Sequence, residues 1–177
     1  MKKNSVAIMA VAAFIFVSLG CSSILAQEHR GTIPGELTGA LSGGAVGNFA
    51  IDQKRSAVDT ASSYHYREDA GTLVRIESFV VEPYTVKSGG QVEFVTTYVV
   101  MIPDFSMTIP VEVSHEIRHN RELVGKPAVT VDQAAGTYSS SVPLLLPAKA
   151  PAGTYKVITT IRAGDIGDSK ETTFVVI

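Results

Sequence analysis

From Gln91 to Ile117 the chain alternates in two successive runs. Val92, Phe94, Thr96, Tyr98 and Val100 share one face of the first, and Ile109, Val111, Val113, His115 and Ile117 share one face of the second. A period of two is what a strand with one buried face requires, and a helix cannot place such residues on a single side. Strand-like runs also occupy 73–82, 122–131, 136–146, 154–161 and 169–177. Turn residues punctuate them at Lys87-Ser88-Gly89-Gly90, Pro103, Pro110, His119-Asn120-Arg121, Pro147 to Gly153 and Gly164 to Asp168. About seven strands over about 105 residues, with turn signals about every 8–14, predict an antiparallel β-sandwich over 73–177.

The whole chain has 177 residues, of which 18% are charged, and a net charge of −2. That length suits one domain with appendages. Charge so balanced points away from a nucleic-acid binder. The single Cys excludes an internal disulfide and a Cys-rich zinc site.

The N-terminus carries different information. Lys2 and Lys3 precede an apolar run from Val6 to Leu19, and Cys21 stands where that run stops, after Gly20. This pattern reads as a secretory signal. It resembles the lipobox of bacterial lipoproteins. The resemblance implies a signal peptide over 1–20, acylation of Cys21 (palmitate among the chains) and anchoring in a membrane through the N-terminal acyl chains. Ser22 after the Cys implies the outer membrane by the sorting rule of enteric bacteria. An ordinary signal peptide cut after Ala26 is the alternative. Residues 21–33 read as a polar tether.

Gly35, Gly39, Gly43 and Gly47 then recur every four residues. On a helix they would form one stripe without Cβ atoms, suited to close helix–helix packing. Pro34 fits a first helical turn. The expectation is a helix over 34–56, too short at about 22 Å of uncharged length to cross a bilayer with ease. Residues 39–53, with Gly47, Asn48 and Asp52, resemble the glycine-zipper segments of bacterial outer-membrane lipoproteins. That resemblance implies association with another helix, the membrane, or a second copy of the chain. A flexible Gly/Ala/Ser linker is the alternative. Residues 57–72 read as a polar linker, in which Tyr64-His65-Tyr66 pack on the following domain or stack on a ligand.

Within 73–177, Pro151-Ala152-Gly153-Thr154-Tyr155 resembles the tyrosine corner of immunoglobulin-like domains, and it implies a structural role for Tyr155. Gly136-Thr137-Tyr138 repeats the Gly-Thr-Tyr start. His115-Glu116-Ile117-Arg118-His119 fits His-Glu-x-x-His, which binds zinc when it lies on a helix. Here it falls in the alternating run. On a strand its two His would stand about 13 Å apart, too far for one ion, with Glu116 on the other face. No catalytic residue, metal site or cofactor is therefore expected. The function expected is that of a non-enzymatic envelope protein whose Ig-like domain engages an unknown envelope protein. The alternatives are a periplasmic chaperone or assembly factor acting through a sheet edge and, remotely, a zinc metallopeptidase. The 73–177 fragment is expected to fold without residues 22–72.

Overall fold

The computed structural model describes residues 37–177, which form a mainly β fold of two sheets around one core. Cys21 and Gly35, with the expected signal peptide and tether, lie outside the described residues. All seven predicted runs are strands: β3 (Leu73–Glu82), β5 (Gln91–Met101), β6 (Ile109–His119), β7 and β8 (Glu122–Gly125 and Ala128–Gln133), β9 (Gly136–Leu145), β10 (Gly153–Ala163) and β11 (Ile166–Val176). Three more were not foreseen: β1 (Ala45–Val46), β2 (Ala50–Arg55) and β4 (Thr85–Val86). The described residues thus hold eleven strands rather than about seven.

One sheet runs β1-β9-β5-β3, with β2 also on β9; the other runs β4-β11-β10-β6-β7, with β8 also on β6. Every pairing is antiparallel except that of β4 with β11. The alternation sorts the side chains. Phe94, Tyr98, Val142 and Leu144 face inward from the first sheet, against Val113, Ile117, Tyr155, Val157 and Phe174 from the second. Two loops are tied by their tyrosines. The Tyr155 hydroxyl donates to the Pro151 carbonyl at 3.1 Å, and the Tyr138 hydroxyl to that of Ala134 at 2.9 Å. Each bond spans four residues and fixes the chain where a strand begins.

Residues 37–72 correct the expectation of a separate helix and a linker. Gly39 lies in a single 3-10 turn (Gly39–Leu41), Gly43 follows it, and Gly47 falls between β1 and β2; the three lie on no α-helix. Gly43 has φ +86°, a conformation that L side chains avoid, so its role is to let the chain reverse. At Gly47 the constraint is space, since a Cβ would come within 2.5 Å of the Pro143 ring while its N–H donates to the Pro143 carbonyl at 2.7 Å. The absent side chains admit β9, not another helix. β2 pairs with β9 from Ala50↔Ser141 to Arg55↔Thr137, and β1 continues along the same edge at Leu144 and Leu145. Leu41 and Phe49 are buried in the shared core. The domain therefore begins well before residue 73. Gly47→Ala is expected to cost about 1–3 kcal/mol through this overpacking, read as a lower urea midpoint.

A short helix, α1 (Ala57–Tyr64), replaces the first half of the expected linker. Ser56 caps it, accepting from the Asp59 amide at 3.2 Å. Ala57, Ala61 and Tyr64 pack on Val99, Met101 and Ala135, a second apolar cluster on the reverse side of β5.

Candidate functional site

His115 occupies the middle of the core. β6 turns it inward, and its ring stacks at 5.7 Å on both Phe49 and Phe79 and lies 5.3 Å from Phe94. Both ring nitrogens are buried without a partner, as are the hydroxyls of Thr96 and Ser140, which pair across β5 and β9. Desolvation pushes its pKa down to about 3, so the ring is neutral at physiological pH. His119 also faces inward, stacked at 4.3 Å on Tyr155, while Glu116 turns outward to Arg118. His115-Glu116-Ile117-Arg118-His119 is thus strand, and no group of three or more His, Cys, Asp or Glu fit to hold a metal exists among the described residues.

The polar network under α1 holds structure together. Arg55 reaches across the sheet to Glu77 and donates to Thr137 Oγ1 at 3.1 Å, and the Tyr64 hydroxyl donates to Glu77 at 2.9 Å. Tyr64 and the neighbouring Tyr66, whose hydroxyl donates to the Gly71 carbonyl at 2.6 Å, are engaged within the fold. Burial raises both phenol pKa values. The packing alternative for Tyr64-His65-Tyr66 is therefore the one the geometry favours.

An open concavity lies at the β6–β7 hairpin. Arg118, Asn120, Arg121, Thr154, Lys156 and Ile158 line it. Register explains the grouping, because Arg118 pairs with Lys156 and Glu116 with Ile158 on adjacent strands. Arg118 is held by Glu116 and by the Arg121 carbonyl at 3.2 Å, and Lys156 by Glu171. Asn120 and Arg121 take φ of 51° and 71°, the two left-handed positions of a tight hairpin turn. Asn tolerates that conformation; Arg does so at a cost of about 1–2 kcal/mol. Arg121→Gly is therefore expected to raise stability by about 1 kcal/mol in thermal unfolding. Two of the concavity's three cations, Arg118 and Lys156, are thus already paired with carboxylates. Sequence reading passed over it as a turn; the signal was Arg rather than Gly after Asn120 in a two-residue hairpin.

No protein-family model matches the chain. No curated protein matches it either. Among solved structures, a β-glucosidase from Erythrobacter marinus aligns with 60% of this chain and 16% of its own, at 10% identity and a TM-score of 0.46. The CARDB domain of a Pyrococcus furiosus protein, in complex with di-metal ions, aligns with 60% of this chain and 90% of its own, at 13% identity and a TM-score of 0.44. An alkylpurine DNA glycosylase from Pseudomonas fluorescens, bound to DNA, aligns with 68% of this chain and 36% of its own, at 12% identity and a TM-score of 0.44. This chain spans a small part of the glucosidase and about a third of the glycosylase.

Proposed function

We propose that this chain is a non-enzymatic lipid-anchored protein of the bacterial envelope. Cys21 is the acylation site, and the Ig-like two-sheet domain is a rigid structural and protein-interaction module. The observation that carries this reading is the position of the one Cys at the end of the apolar run. The fold adds a geometric support. Since the domain takes in residues from 37 onward, the chain between Cys21 and Leu37 can extend no more than about 55 Å. The module is thereby kept close to the membrane that holds the lipid.

The chaperone alternative needs a receptive sheet edge, and the edges of the first sheet are guarded. β1 and β2 cover β9. Beside β3, the Asp168 carboxylate accepts from the Ile76 amide at 2.8 Å and Lys170 donates to the Glu77 carbonyl at 2.6 Å. β2 itself carries Lys54 and a register shift, features that discourage strand addition.

Substituting Cys21 with Ser tests the reading. The wild type is expected to take up radiolabelled palmitate and to sediment with membranes. Cys21→Ser is expected to lose the label and its membrane retention. A Cys21→Ser chain that stays membrane-bound after mild washing would contradict it.

A further inference from the structure

The second sheet ends on β7 and β8, and the β8 edge lacks the cover that closes the first sheet. β8 pairs with β6 on one side, and no strand among the described residues pairs with its other side. The His115 amide donates to the Pro127 carbonyl at 2.9 Å, one step before the pairing of Ser114 with Ala128. His115 and Pro127 are therefore a hydrogen-bonded pair, and by alternation so are Val113 with Val129 and Val111 with Val131. The backbone N–H and C=O groups of Lys126, Ala128, Thr130 and Asp132 point the other way. No backbone hydrogen bond from the described residues reaches them. Pro127 does not blunt this edge, because its missing N–H would face β6. The open run stops at Val124, whose carbonyl accepts from the Thr38 amide at 2.8 Å.

The side chains of the run alternate as well. Val129 and Val131 are buried in the core, while Lys126, Thr130 and Asp132 are exposed and Ala128 is half-buried. Lys126 and Asp132 make no ion pair among the described residues. They stand about 20 Å apart along an extended strand, so they do not meet within one chain. The other charges on this face lie on β6. Glu116 is held by Arg118, and Glu112 stands opposite Arg162 of β10.

We propose that β8 pairs antiparallel with β8 of a second copy of this chain, joining their second sheets across a two-fold axis at Val129. In this register Lys126 stands opposite Asp132 of the second copy and Ala128 opposite its Thr130, and the reverse pairs follow by symmetry. All four open residues of each copy then exchange backbone hydrogen bonds. Charge complementarity selects this occupant. Of the registers that match open residues with open residues, this one alone sets each charge directly opposite its counter-ion. Registers centred on Lys126 or on Asp132 set like charges face to face, which destabilises a pair of strands. A Lys on an edge discourages strands that carry no acid to meet it, and the second copy supplies that acid. The inference rests on the interaction-module part of the reading above, and not on the lipid at Cys21.

The test uses the full chain in an excess of detergent micelles, with two readouts. Sedimentation equilibrium in density-matched detergent gives the dimer association constant. Lys126→Glu and Asp132→Lys are each expected to lower it about tenfold, since each sets like charges opposite one another twice, and the double variant is expected to restore it. A zero-length carbodiimide cross-link, on a mixture of unlabelled and heavy-isotope chains, is expected to join Lys126 of one isotope to Asp132 of the other. A monomer at every concentration, a constant unmoved by either single variant, or a double variant no better than the singles would overturn the proposal. Slow amide exchange at Ala128 and Thr130 in a monomeric Lys126→Glu chain would overturn it in favour of a cover from elsewhere in the same chain. Cys21→Ser is expected to dimerise as the wild type does, so a failure of lipid anchoring leaves this result unchanged and is told apart from a failure of the pairing.

Discussion

A chain trimmed to residues 73–177 is expected to lose its cooperative native fold, and one beginning at residue 37 to keep it. The trimmed chain retains all seven strands that the sequence displays most clearly. What it loses is the closure of one side. β1 and β2 leave the edge of β9, exposing its backbone groups from Thr137 to Leu145. Leu41, fully buried, and Phe49, 7% exposed and stacked on His115, leave the core with them. Truncating either side chain alone costs about 2–5 kcal/mol. Together they approach the whole stability of an ordinary domain, about 5–15 kcal/mol. α1 would go as well, uncovering Val99 and Met101. Circular dichroism with urea titration checks this. A sharp transition is expected for 37–177, and a shallow one or none for 73–177. A 73–177 fragment that unfolds cooperatively at the same midpoint would show that the N-terminal segment is an accessory.

Acid is expected to weaken the fold through His115. The ring is neutral in the folded core, its pKa lowered to about 3 by desolvation, while in the unfolded chain it titrates near 6.5. Between those values the unfolded chain binds a proton that the native state does not. Stability from this residue is therefore fully present above pH 6.5 and falls as pH drops toward 3, by about 1.4 kcal/mol per pH unit. From pH 6.5 to 5.0 that is a loss of about 2 kcal/mol. His115→Phe removes the titration and breaks no hydrogen bond, because neither ring nitrogen has a partner and the surroundings are Phe49, Phe79 and Phe94. Urea midpoints at the two pH values are expected to separate by less in the variant, by the equivalent of about 2 kcal/mol. An identical pH dependence in wild type and variant would mean that His115 is solvated or bonded.

The parts of the fold that were legible are those where one physical effect dominates. Strands β5 and β6 carry a buried face of alternating residues, so alternation announced them, and the same alternation placed His115-Glu116-Ile117-Arg118-His119 on a strand. Tyr155 was legible from its loop, and its hydroxyl makes the expected backward bond. β2 was not. It is an edge strand of sequence Ala-Ile-Asp-Gln-Lys-Arg with little buried surface, so its apolar pattern is nearly silent. The four-residue recurrence of glycine carried the opposite message. In Gly39 and Gly43 it reflects positive φ in tight turns, and in Gly47 close approach to Pro143, so the even spacing is coincidental to helix geometry. A warning was present, since each Gly costs a helix about 0.8–1 kcal/mol relative to Ala. The helix that does form was signalled by Ser56 and Asp59, three apart at its start.

Cross-strand nuclear Overhauser effects in the full chain test the incorporation of residues 37–55 most directly. Contacts between Ala50 and Ser141, and between Asp52 and Ser139, are expected, with none of the i, i+3 contacts of an α-helix from Gly39 to Ile51. A continuous series of helical contacts over 39–51, without cross-strand contacts to β9, would contradict the account.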